Sequence, residues 1–488
     1  MAFTITGGAG LNATPSATKQ TLAGNYLDFT SQSTTAADKN WAQQYLPDLM
    51  EKEAEVFGNR TVSGFLEKVG AEEAMASDQV VWSEQGRLHL SYQCSQVSEG
   101  VILIEADVDG NVGAANGVRI GDMVVLSDAD KTVKAYVTGT YAETTAITTA
   151  GQITVASYTS ATIGLDTTSK ACRLFVFGSE YEKGTEGRGA VNAPAFKSHS
   201  NQPIILKDKY EVSGSDASAV GWVEVSGEEG QNGYLWYLKA AGDTKSRFTD
   251  YCEMALIEAE KVVAGSDVAS LSGEIKGTEG LFAAISDRGN IAAQVNSMDD
   301  FDDILKEFDK QGSIEENMMF LDREQALLID DILAAQNGGN AGDGSAYGVF
   351  DNDQDMALNL GFSGFRRGSY DFYKTDWKYL NDLATRGSIN DAAATGATRL
   401  GDIYGCIVPA GVSTVYDQSL GKNLKRPFLH VRYRASGVES RKFKTWTTGS
   451  VGAVSSDLDA MEMHFLSERC LVVQGANNFM LIKGKQNS

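Results

Sequence analysis

NQPIILKDKYEVSGSDAS, residues Asn201 to Ser218, is the stretch from which the fold is read. Ile204, Leu206, Tyr210 and Val212 fall on one face of an extended strand, and Lys207, Lys209 and Glu211 fall on the other. With the strand-like run Gln79 to Gln93 it forms a long two-stranded projection, assigned to residues 79–96 and 191–222. Such a ribbon cannot bury an apolar face alone, so it needs a sheet, a domain or a neighbouring subunit.

Downstream the period changes. Leu235, Leu238, Phe248, Cys252, Ala255, Ala259 and Val262 recur at helical spacing, which predicts one long helix from Tyr234 to Val263, with Gly242 as an interruption. At 1.5 Å per residue such a helix spans about 45 Å and serves as a structural spine. GLFAAISDRGN (Gly280 to Asn290) follows. Ser297 then caps MDDFDDILKEFDKQ, whose Phe301, Ile304, Leu305 and Phe308 form one face. ENMMFLD reads as a buried strand, and Asp322 caps a second helix running to Gln336. Strand candidates fill the remainder.

Upstream, residues 1–40 are rich in Gly, Ser, Thr and Ala and read as an extended arm. Pro47 and Gly58 bracket a short helix, and Arg60 to Ser77 holds a second, so residues 41–78 are expected to be helical. Residues 97–190 differ from both flanks. Val-, Thr-, Ile- and Tyr-rich segments recur there at short spacing between Gly, Asp and Ser, the pattern of a small all-β domain inserted into a larger one.

The chain has 488 residues, enough for two to four domains, and a net charge of −23, which argues against a dedicated nucleic-acid binder. That charge is uneven. Asp299 to Asp331 holds twelve acids and three bases, whereas Lys422 to Lys444 holds eight bases and one acid. Two solvated faces would account for this. So would an acidic face carrying Asp299, Asp300, Asp302 and Asp303 that meets, in a second copy, a basic face carrying Lys425, Arg426, Arg432 and Arg434. Arg432 and Arg434 share one side of a strand by parity, and Arg366 and Arg367 raise the same choice.

Five dispersed cysteines without a CxxC fit neither a disulfide framework nor a zinc knuckle, and suggest a reducing compartment. The start resembles no signal peptide, and no apolar run is long enough to span a membrane. The four histidines, His89, His199, His430 and His464, are scattered, and His89 and His464 read as sheet residues. Asp351, Asp353 and Asp355 imitate the opening of a calcium loop, but Met356 and Phe362 stand where that loop needs glycine and glutamate. No cofactor, metal or catalytic group is expected.

The order of these segments resembles a tailed-bacteriophage major capsid protein of the HK97-type fold, over about residues 40 to 485, and among subgroups most resembles the crAss-like phage capsid proteins. NQPIILKDKYEVSGSDA is similar to the return strand of that family's extended loop. GYLWYLKAAGDTKSRFTDYCEMALIEAEKVV is similar to its spine helix, and SSDLDAMEMHFLSERCLVVQGANNFMLIKG to its closing sheet. The resemblance implies an α+β fold with an N-terminal arm, an extended loop, a peripheral domain (223–296 and 440–488) containing the spine, and an axial domain (297–439). It implies copies joined in pentamers and hexamers as an icosahedral shell around double-stranded DNA held by weak, non-specific contact. Portal, scaffolding and decoration proteins would be further partners, the host bacterial cytoplasm the place of assembly and the virion the destination. Ile204, Leu206 and Tyr210 would touch the adjacent subunit, with Lys207 and Lys209 nearby. No fused scaffolding domain is expected before residue 41. An encapsulin-like compartment shell, another phage structural protein and an enzyme with a β-rich binding module are the competing readings.

Overall fold

The computed structural model describes residues 65–66, 71–86, 89–108, 117–140, 151–186, 196–215, 224–226, 232–271, 275–338, 364–391, 402–410, 412–417, 422–450 and 455–484. The expected arm, the helix bracketed by Pro47 and Gly58, and the Asp351–Asp355 run lie outside these residues. The fold is α+β, with more strand than helix, and divides into two compact units, Trp82–His199 and the remainder.

In chain order the first strands are β1 (Glu72–Met75), β2 (Val80–Gln85), β3 (Ser91–Ser98), β4 (Val101–Asp107), β5 (Asp122–Ser127), β6 (Thr132–Thr140), β7 (Gln152–Ser157) and β8 (Cys172–Ser179). Strands β3 to β8 close an antiparallel barrel in the order β3-β4-β7-β6-β5-β8, with β8 pairing back onto β3. Its interior is filled by alternate residues, among them Ile102, Ile104, Val124, Leu126, Val137, Ile153 and Leu174. Residues 158–171 lay Ile163 and Leu165 into the same core. Their backbone is held by side chains of the wall strands and of the turns beside them. Glu99 Oε1 accepts from Ile163 N at 2.5 Å, Asp128 Oδ2 accepts from Asp166 N at 3.1 Å, and Gln96 and Glu105 accept from Leu165 N and Lys170 N.

The barrel begins earlier than the sequence pattern suggests. Residues 91–96, assigned above to the projection, are barrel wall, because Tyr92, Cys94 and Gln96 all point inward. The strands that pair outside the barrel are β2 and β9 (Phe196–Asn201), a two-stranded sheet.

The other unit contains β10 (Ile204–Ser213), β11 (Glu224–Ser226), β12 (Asn232–Tyr234), α1 (Leu235–Glu258), α2 (Leu281–Arg288), β13 (Asn290–Ala292), α3 (Met298–Gln311), β14 (Glu316–Leu321) and α4 (Arg323–Gly338). They are followed by β15 (Gly364–Arg367), β16 (Tyr370–Asp376), α5 (Lys378–Asn381), α6 (Gly387–Asp391), β17 (Ile403–Pro409), β18 (Val412–Asp417), β19 (Lys422–Pro427), β20 (Leu429–Arg434), β21 (Lys444–Gly449), β22 (Ala460–Val473) and β23 (Met480–Lys483).

Two sheets organise it. The first runs β1-β20-β22-β10, with β21 also on β22; the second runs β13-β23-β17-β14-β16-β15. Strands β22 and β23, joined by a short turn, therefore enter both sheets. Helices α3 and α4 cover one face of the second sheet through Phe301, Ile304, Phe308, Ile329 and Leu333 against Met319, Leu321 and Phe372. Phe320, Cys406 and Leu481, on the opposite side, join the core under α1 and α2 with Leu256, Leu281 and Leu471. Burying both faces is what makes these strands nearly continuous apolar runs.

Local signals account for much of this. Ser297 and Asp300 form a capping box on α3, and Gly312 closes the helix at φ 66°. Asp322 Oδ1 accepts from Gln325 N at 2.7 Å at the start of α4. Two expectations change. Helix α1 is continuous through Gly242 but ends at Glu258, because the next residues pair with the chain ahead: Gly280 N donates to Ala259 O at 2.8 Å and Val262 N to Lys276 O at 3.0 Å. A Cβ on Gly280 would sit 2.8 Å from Ala259 N, so this approach needs glycine. Within the second expected N-terminal helix, Glu72–Met75 is a strand, drawn into parallel pairing with β20 despite good helix propensity.

Candidate interaction surfaces

Strand β10 lies against β22 for its whole length, from Ile204 beside Arg469 to Ser213 beside Ala460. The alternation read from its sequence is present, but the apolar side faces its own chain. Tyr210 and Val212 pack with Ala241 of α1, and Leu206 packs against Phe248, Cys252 and Phe465. Leu206 and Tyr210, which the resemblance assigns to a contact with an adjacent subunit, are thus packed within the chain, and residues 204–213 are a strand of the first sheet. Ile204 shares that inward parity and is half-buried. The outward side carries Ile205, Lys207 and Lys209. Lys209 Nζ is held by Glu211 at 3.0 Å and Glu462 at 2.9 Å, which holds the Glu462 carboxyl below its usual range. Beside it Trp446 stacks on His464, their ring centroids 5.1 Å apart.

The basic strip is largely neutralised at home. Arg432 Nη1 meets Glu73 Oε2 at 2.7 Å. Arg434 pairs with Asp78 and stands 3.9 Å from Glu468; Arg441 also pairs with Glu468, and Lys442 with Glu72. Lys425 and Arg426 stand opposite Thr414 and Ser413 in the β18–β19 pair, their side chains outside the described residues.

The acidic helix is likewise engaged. Asp300 is committed to the cap. Asp302 takes Arg367 in a two-pronged contact of 2.5 and 2.7 Å, and that guanidinium holds its carboxyl below the usual range. Asp303 meets Lys306 at 2.7 Å on the exposed surface, a pair worth little by itself. Asp299 is exposed in the first turn, where the helix dipole favours a negative charge.

Three polar centres escaped the sequence reading. Glu253, buried on α1, accepts the backbone N–H groups of Phe65 and Leu66 at 2.7 and 3.2 Å, and Phe65 stacks on Trp377 at 4.4 Å. Glu258, at the end of α1, accepts from Tyr379 Oη at 2.6 Å and from Arg386 Nη1 at 2.6 and 2.5 Å. Asn201 is 1% exposed; its Nδ2 donates to Glu279 O and Leu471 O, and its Oδ1 accepts from Thr278 Oγ1 and Glu279 N. Carboxylates on a helix look like solvated charges in sequence, so nothing there marked them as fasteners.

Among the described residues no group of His, Cys, Asp and Glu is placed to hold a metal ion, and no helix is long and apolar enough to cross a membrane. His430 is buried with Nδ1 3.2 Å from Pro427 O, His464 lies 2.7 Å from Thr448 Oγ1, and His199 stands 3.6 Å from Glu84. His89, expected in a strand, lies exposed between β2 and β3.

No family model and no curated protein sequence matches the chain. Solved structures similar to it include one from Microbacterium phage Oxtober96, at 7% identity and TM-score 0.37, covering 90% of this chain and 96% of that one. The capsid structure of the cyanophage P-SCSP1u is similar at 10% identity and TM-score 0.38, covering 90% and 92%. A chain from Mycobacterium phage Adephagia has 7% identity and TM-score 0.36, with 90% and 96% covered.

Proposed function

We propose that the chain is the repeated subunit of a phage head, a major capsid protein of the HK97-type fold. One observation carries the reading: the order of elements along the chain. A strand pair (β2, β9) brackets an inserted barrel, a long helix follows and packs on a sheet, an α/β unit comes next, and the C-terminal strands return to both sheets. In this reading α1 is the spine, the first sheet with α1 and α2 is the peripheral domain, and α3 through β19 belong to the axial domain. Strands β2 and β9 are the extended loop.

A shell is built from large, repeated, self-complementary surfaces. Copies joined in pentamers and hexamers would enclose double-stranded DNA, with portal, scaffolding and decoration proteins as partners, and the assembled head would leave the host cytoplasm as the virion. Contacts between copies would fall to exposed side chains such as Ile205 and Lys207 on the outer side of β10 and Asp299 on α3.

Electron microscopy of the purified protein, produced with and without its neighbouring genes, tests this. Closed icosahedral shells, or rings of five and six, are expected. Dispersed monomers in both preparations would overturn the reading.

A further inference from the structure

Cys94 lies on β3 and Cys172 on β8, the strands whose pairing closes the barrel, and the register sets them directly opposite each other. Both side chains are fully buried in the barrel core, so they share the inner face. Val176 N donates to Leu90 O at 3.1 Å, and counting along this register puts Cys94 and Cys172 at another hydrogen-bonded position. At such positions Cα atoms are typically about 5.5 Å apart, inside the range a disulfide spans. The Cβ atoms at such a position start somewhat wide for the bond, so closing it adds local twist and leaves a strained, readily reduced disulfide. Both cysteines are free thiols here, and Cys172 Sγ lies 3.3 Å from Asp166 O.

We propose that Cys94 and Cys172 are a redox pair: a hydroperoxide converts them to a disulfide that staples the first barrel strand to the last, and a small dithiol reopens it. In the first step one sulfur attacks a peroxide oxygen, the O–O bond breaks, and the thiol proton leaves with the departing oxygen as water (or as an alcohol from an organic peroxide). In the second step the other sulfur attacks this sulfenic sulfur, the S–O bond breaks, and the second thiol proton leaves with that oxygen as water. Two thiols are oxidised and one peroxide is reduced. Burial pushes the Cys94 thiol up to about 12 and raises that of Cys172, so both are protonated at neutral pH and the reaction is slow. The remaining cysteines lack such a partner: Cys406 stands opposite Phe320 and Leu481, Cys470 opposite Arg432, and Cys252 is on α1.

The test is peptide mapping of the folded full-length chain after hydrogen peroxide treatment, with free thiols alkylated before digestion. A linked pair of peptides carrying Cys94 and Cys172 is expected, with Cys252, Cys406 and Cys470 still alkylated, and dithiothreitol should restore both thiols. The barrel's thermal midpoint should rise on oxidation in the natural sequence and stay unchanged in Cys172→Ala. Separately alkylated or over-oxidised Cys94 and Cys172, or a link that forms only in urea, would overturn the proposal. The map needs no variant, so a misfolded Cys172→Ala leaves the test intact.

Discussion

In the barrel half of the pairings join neighbours along the chain, β3 with β4, β5 with β6 and β6 with β7, and the others stay within the same segment. In the surrounding unit Glu72 lies beside Val431 and Tyr210 beside Met463. The barrel can assemble from its own segment once β8 returns to β3. The surrounding sheets are incomplete until β22 and β23 arrive near the end of the chain. Separation in sequence, and not strand content, distinguishes the two regions, and long-range pairing is the slower to form.

The largest expected effect comes from cutting the barrel out at two different places. Replacing residues 86–195 with a short Gly/Ser linker should leave a soluble unit that unfolds cooperatively, because its two main sheets and the apolar clusters packed on them are retained. Replacing only 97–190 leaves most of β3, with Tyr92 and Cys94 stripped of the wall that buried them. That variant should lose most of its soluble yield. Soluble expression and scanning calorimetry compare the two. Equal behaviour would mean that residues 91–96 do not belong to the barrel's cooperative core.

The same contrast explains what could be read in advance. The cap at Ser297, the apolar face of α3 and the alternation in β10 are local patterns, and they are present in the fold. What covers a patterned face is not local. The alternation leaves a sheet, a domain or a neighbouring subunit open as the cover for Tyr210, and only the family resemblance implies the subunit; within the chain Tyr210 packs with Ala241 and Met463. Arg432 and Arg434 share a side as parity requires, yet their counter-ions Glu73 and Asp78 come from a stretch that reads as helix by propensity. The barrel's signal in sequence is short-range, a run of closely spaced strand patterns, and its first strand, β3, merges there into a longer strand-like run.

Carboxylates also behave differently in the two regions. In the barrel, backbone N–H groups hold the Asp128 and Asp166 carboxyls below their usual range, which favours the folded state above the unfolded pKa and is lost on acidification. Asp322 in the other unit is shifted the opposite way, to about 6, by burial, with Glu324 and Asp376 adding to the effect. The folded chain then keeps a proton between about pH 4 and 6 that the unfolded chain has released, so this group's contribution falls as pH rises through that window. Asp322→Asn keeps an acceptor for Gln325 N–H and removes the titration. Relative to the natural sequence, its stability should rise from near equality at pH 4 to an advantage of about 3 kcal/mol at pH 7. Urea unfolding of both proteins across that range measures the difference, and a constant offset would exclude the assignment.

The smallest effect probes the local end of the comparison. Ser297 Oγ accepts from Asp300 N at 3.2 Å, and Asp300 Oδ2 accepts from Ser297 N at 3.0 Å, both on the exposed start of α3. Ser297→Ala removes one half of this box and should cost about 1 kcal/mol. Because α3 packs on the second sheet through Phe301, Ile304 and Phe308, that loss should lower the transition of the surrounding unit and leave the barrel's midpoint in place. Calorimetry of the full chain reads both at once. A shift in the barrel's transition of similar size would show that the two regions unfold as one, in which case the difference in how they are wired along the chain does not carry over to how they come apart.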